Sequence, residues 1–134
     1  MSGETDLDIL ISSMSAELRE GTFVFCTVSE GQVPEFLNPV MMFREAEGTT
    51  LILLQSEAAA QGLEFEFPCR MITLNIHSSL EAVGFLARIT TALAAAGMGV
   101  NPVSGFYHDH LFVPEDRVED AMKVLQDLSE SQAR

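Results

Sequence analysis

Between Arg70 and Leu128 the sequence lays out strand, helix, strand, strand and helix, and then runs out of apolar residues before another strand can form. Residues 70–77 alternate and are rich in β-branched types, the mark of a strand. Ser78, with Glu81 three positions later, has the capping-box spacing of a helix start. Val83, Leu86, Ile89, Thr90, Leu93 and Ala96 recur at steps of three and four, giving one helical face that Gly97 can stop. Residues 100–106 and 110–113 then read as strands around a polar turn at Tyr107, His108 and Asp109. Pro114 opens a last helix whose apolar stripe is Val118, Ala121, Met122, Leu125 and Leu128. A β-α-β-β-α-β ferredoxin-like unit needs one further strand, yet residues 129–134 are a polar tail. The missing edge is expected from a segment of the first half, around residues 9–12, or from a partner chain.

The first half follows a looser version of the same plan. Residues 8–12 read as a short strand, 16–20 as one helical turn stopped by Gly21, and 22–28 as a strong strand. A loop holding Gly31 and Pro34 leads to a hairpin of residues 40–45 and 50–54 around Glu47-Gly48. Residues 56–63 read as a short helix capped by Ser56 and ended near Gly62. The expected fold class is α+β, with one unit over residues 1–67 and another over 68–134, and no repeat strong enough to establish duplication.

Charge narrows the partners. The 134 residues hold 20 acidic and 7 basic side chains, for a formal charge of −13. Neutralising a nucleic-acid backbone takes clustered Lys and Arg, so nucleic acid is excluded as a partner. Lys123 is the one lysine, which argues equally against an anionic membrane surface. The stretch 80–105 is interrupted by Glu81, Arg88, Gly97, Gly99 and Pro102, so it is no membrane span. The acidic start of the chain has no secretory pattern. Cys26 and Cys69 are too far apart in sequence for a metal pair and too few for a disulfide scaffold, so both read as buried thiols of a cytoplasmic protein.

Few residues offer chemistry. No nucleophile elbow, phosphate loop, dinucleotide fingerprint or H-E-x-x-H is present, and no enzyme activity or cofactor is expected. His108 and His110 would share a strand face and could bind a metal, with Asp109 pointing the other way; a hairpin-tip role is the plainer reading. The turn from His77 to Phe85 offers more. Free N–H groups at a helix start suit a carboxylate, and Gly84 allows close backbone approach. Asn101, one strand later, could supply an amide to an amino-acid head group.

Residues 82–101, Ala-Val-Gly-Phe-Leu-Ala-Arg-Ile-Thr-Thr-Ala-Leu-Ala-Ala-Ala-Gly-Met-Gly-Val-Asn, resemble the core of an ACT domain. Residues 14–28, 43–54 and 107–114 further resemble a bacterial group of small proteins with two tandem ACT-like units. The chain is also distantly similar to aspartate kinase regulatory domains and to animal cytosolic arginine sensors. This resemblance implies two ferredoxin-like units with antiparallel sheets and helices on one face. It implies a non-catalytic regulatory protein that binds a small amino acid at an interface between units or subunits, as a homodimer. Carried over by position, the ligand site would comprise Ser78, Ser79, Glu81, Val83, Gly84, Phe85, Leu86 and Asn101. A protein-interaction module without ligand is the alternative, and a small metalloenzyme using His108 and His110 a further one. The acidity favours a cationic ligand only weakly, since residues 1–67 carry a net −10 (12 acidic, 2 basic) and residues 68–134 a net −3 (8 acidic, 5 basic).

Overall fold

In the computed structural model, which describes residues 3–133, Asp6 opens the first helix. Its side chain accepts a hydrogen bond from the Ile9 N–H (3.0 Å), capping α1 (Leu7–Ser13). The segment expected as a strand at residues 8–12 is therefore helical. The reason lies in Leu7, Leu10, Ile11 and Met14, which fall at the three- and four-residue steps of one helix face. Leu10 and Ile11 are fully buried. The helical turn expected at residues 16–20 is instead β1 (Ala16–Leu18).

The chain forms two compact units, one contiguous over Gly21–Cys69 and one discontinuous, made of the chain up to Glu20 and from Arg70 onward. In the contiguous unit, β2 (Phe23–Val28), β3 (Met41–Glu45), β4 (Gly48–Leu54) and the start of β5 (Glu66–Leu74) lie in the order β3-β4-β2-β5. The β3–β4 hairpin turns at Glu45 and Gly48, and β2 pairs antiparallel with β4 from Phe23↔Leu54 to Val28↔Thr49. The β2–β5 register shifts between Phe23↔Cys69 and Phe25↔Glu66. Phe67, at φ 59°, and Pro68, which has no N–H, account for that irregularity. Residues 29–40, where a ferredoxin-like unit carries its first helix, hold turns only. α2 (Gln55–Ala60) starts after Leu54 without a side-chain cap, so Ser56 does not cap it. Val24, Cys26, Leu51, Leu53 and Ala58 form the core here.

In the discontinuous unit β1 lies antiparallel to the end of β5, Ala16 opposite Leu74 and Leu18 opposite Ile72. With β6 (Asn101–Ser104) and β7 (Asp109–Pro114) the order is β1-β5-β7-β6. The edge that the C-terminal half lacks is thus filled from within the chain, by residues 16–18. α1, α3 (Phe85–Ala95) and α4 (Val118–Ala133) pack on one another and on Ile72, Leu74, Leu111 and Val113. Phe85, Ile89 and Leu93 of α3 and Ala121 and Leu125 of α4 are the buried helical positions. The fold is α+β, two ferredoxin-like units with antiparallel sheets. Among the described residues no helix is long and apolar enough to cross a membrane.

Candidate ligand site

β5 ends at Leu74, and the chain then crosses to α3 through residues 75–84. Ser78 caps no helix there. Its hydroxyl donates to Asp109 Oδ2 (2.9 Å), and the first residue of α3 is Phe85, preceded by Gly84 at φ 90°. The capping-box spacing of Ser78 and Glu81 therefore misplaces the helix start by one and a half turns. Ser79 Oγ accepts from the Glu81 N–H (3.1 Å) instead, closing a tight serine turn. Gly84 is needed because an L side chain is strained at positive φ. It offers no side chain to cap the helix, so the first-turn amides of Phe85, Leu86 and Ala87 lack intrahelical partners.

These amides border a cavity of about 210 Å3 lined by Ser78, Ser79, Gly84, Phe85, Leu86 and Asp109, among others. Five of the eight expected site residues thus come together. Glu81 is exposed and Val83 is 84% exposed, and neither lines the cavity. Asn101 is exposed at the far end of β6, opposite Phe112; the residue that β6 brings to the cavity is Ser104, opposite Asp109.

Asp109, expected in the polar hairpin turn, is instead the first residue of β7 and lines the cavity. It is 6% exposed, and among the described residues no Lys or Arg pairs with it. A buried carboxyl keeps its place only where its oxygens find hydrogen bonds, and the Ser78 hydroxyl supplies one. The sequence does carry the signal: Asp109, Leu111 and Val113 alternate on one strand, so the acid stands in phase with two core residues. Larger hollows exist, such as one of about 600 Å3 beside Met42, Phe43 and Arg44, but none of its lining residues is a buried charge.

His108 and His110 flank Asp109 and, by strand alternation, face the other side of β7. His110 Nδ1 is 3.0 Å from Thr73 Oγ1, and its ring centre is 6.4 Å from that of His108. Among the described residues no three His, Cys, Asp or Glu side chains could together hold a metal. Burial holds His110 below the usual histidine value of about 6.5; the charges of His108 and Arg19 act in the same direction, and Asp109 against it. The folded chain thus takes up this proton less readily than the unfolded one. The associated stability is complete above about pH 6.5 and is lost as pH falls through that value toward the lower pKa of His110. Urea unfolding at about pH 7.5 and about pH 5.5 is expected to show a loss at low pH that is smaller in His110→Gln. Equal losses in the two proteins would refute this.

Both cysteines are buried thiols outside any disulfide, with Cys69 Sγ donating to the Phe23 carbonyl (3.3 Å) and burial pushing the Cys26 thiol upward.

Residues 2–70 match one ACT domain family profile and residues 66–127 a second. The chain belongs to the ACT domain family. Its two ACT matches meet near residue 68, whereas the compact units exchange the first twenty residues between halves. A Vibrio cholerae protein of unknown function, labelled a possible transport protein, is 42% identical over 96% of this ACT chain and 99% of its own, with a TM-score of 0.83. An Agrobacterium tumefaciens protein is 17% identical over 87% of this chain and 89% of its own, at a TM-score of 0.75. The regulatory subunit of aspartate kinase from Thermus flavus is 9% identical over 85% and 96%, at 0.62. The last two share the ACT fold with this chain. No relative is found among curated proteins.

Proposed function

We propose that this ACT chain is a non-catalytic regulatory protein of the cytoplasm whose cavity between Ser78, α3 and Asp109 binds a small amino acid. The observation that carries the reading is the buried Asp109 carboxylate, which shares a cavity with the uncapped start of α3. A zwitterion satisfies both: its ammonium offsets the carboxylate, and its carboxylate meets the amides and the positive end of the helix dipole. The regulatory-domain fold and the family support the role, and two thiols outside any disulfide suit a reducing compartment. Asn101 drops out of this cavity and is left to face a second copy of the chain across the β6 edge, in a homodimer.

Thermal-shift measurements against the twenty amino acids at millimolar concentration test the reading, with light scattering on the same samples for the dimer. At least one amino acid is expected to raise the unfolding midpoint by mass action. If none does, the chain is a partner-binding module, for which the exposed Leu80, Val83, Phe106 and Tyr107 around the turn would be the contact surface.

A further inference from the structure

We infer that residues 3–6 form a latch that positions the Ser78–Asp109 pair, so that Gly3 and Glu4 are positioning residues of the cavity; this rests on the amino-acid reading given above. Glu4 lies parallel to Ser78 as an isolated bridge. Its N–H donates to the His77 carbonyl (2.9 Å), and its carbonyl accepts the Ser79 N–H (2.9 Å). The two bonds grip the peptide groups on either side of Ser78. With its backbone held there, the Ser78 hydroxyl is aimed at Asp109 Oδ2.

Gly3 makes the approach possible. Its φ is 95°, and a Cβ there would stand 2.5 Å from the Ser79 nitrogen, so any side chain would force the strand of the latch away. Glu4 Oε1 accepts the Asp6 N–H (3.2 Å), and Asp6 caps α1, whose Leu10 and Ile11 are fully buried. The latch runs on through Thr5 into that helix by the chain itself, so the side-chain bond is dispensable, and the bonds that reach the cavity wall are those of the Glu4 backbone. By linkage, a ligand that holds Asp109 in place strengthens the latch by the same factor that the latch strengthens ligand binding.

The test compares the full-length wild type with Gly3→Val, Glu4→Pro and Glu4→Ala. Valine blocks the approach and proline removes the Glu4 N–H, whereas alanine keeps both backbone groups. The Ser79 amide is expected to exchange with solvent about tenfold faster in Gly3→Val and Glu4→Pro than in the wild type, and at nearly the wild-type rate in Glu4→Ala. The amino acid that stabilises the wild type should bind about fivefold or more weakly to the first two and normally to the third. The thermal midpoint serves as the fold control. Equal Ser79 exchange in the wild type and Gly3→Val overturns the latch. Unchanged or tighter binding to Gly3→Val despite faster exchange overturns its positioning role. Should no amino acid stabilise the wild type, the reading of the cavity fails, and exchange alone decides the latch in the same two directions.

Discussion

Deleting residues 1–13 is expected to unfold the discontinuous unit. The deletion removes α1, and with it Leu10 and Ile11, which have no exposed surface and sit in one cluster with Ile72, Leu74, Phe85, Ile89, Leu93, Leu111, Val113 and Leu125. Burying each such side chain contributes about 1.5–3 kcal/mol. The void left behind adds to the loss, because packed neighbours relax only in part. Leu7 and Met14, at the margins of the same face, also depart or lose their partners. The total is comparable with the whole stability of a domain of this size, about 5–15 kcal/mol. Far-UV circular dichroism on heating should show the main transition lost or greatly lowered. A milder version is Leu10→Ala, expected to cost about 2–5 kcal/mol and to lower the midpoint by on the order of 10 °C. An unchanged midpoint in the truncated chain would mean that α1 is dispensable to the core.

Asp109→Asn should weaken binding while leaving stability nearly unchanged. Asparagine is nearly isosteric and its side-chain oxygen can still accept from the Ser78 hydroxyl, so the packing at the head of β7 is preserved. What goes is a buried carboxyl that pairs with no Lys or Arg of the described residues. The ligand-free protein is therefore expected to be about as stable as the wild type in urea, because the Ser78 hydrogen bond and the packing around it are kept. Binding of the amino acid that stabilises the wild type should fall by about 30-fold or more, the usual consequence of truncating one member of a desolvated charge pair, about 2–5 kcal/mol. Calorimetric titration and urea unfolding on the same two proteins read both effects. Retained affinity, or a ligand-free protein weakened by several kcal/mol, would make Asp109 a structural residue.

The parts of this fold that were legible in the sequence are those where a single period runs long enough to dominate. The stripes Ile89–Leu93 and Ala121–Leu125 belong to helices of about three and about four and a half turns, and the β3–β4 hairpin is framed by a glycine. Short elements misled where propensity and period disagree. Ile9, Leu10 and Ile11 suggest a strand by composition, yet Leu7 and Met14 extend them into a helical face, and burial on α4 and α3 decides the matter. Ser78 and Glu81 have the right spacing for a cap, but the serine finds a buried carboxylate 31 positions away, a partner no local pattern can reveal. Asp109 was hidden for the opposite reason: in a polar hairpin tip it looks like a turn residue, and only its phase with Leu111 and Val113 marks it as inward-facing. Asn101 illustrates the limit of carrying a position across by resemblance, because a shift of three residues along β6 puts Ser104 at the cavity instead.

The division of the chain into a contiguous and a discontinuous unit also sets an order of events during synthesis. Residues 21–69 can close on themselves as soon as they leave the ribosome, whereas α1 and β1, made first, find their partners in segments made last. At about 5–20 residues per second, Leu10 and Ile11 spend several seconds exposed while the polypeptide up to Leu125 is completed. Closure of this unit spans more than a hundred residues of sequence, as the Ser129 hydroxyl bonded to the Met14 carbonyl records. Such long-range closure is slow relative to hairpin and helix formation. A nascent chain arrested before α4 would leave the part of the α1 face that packs on α4 uncovered.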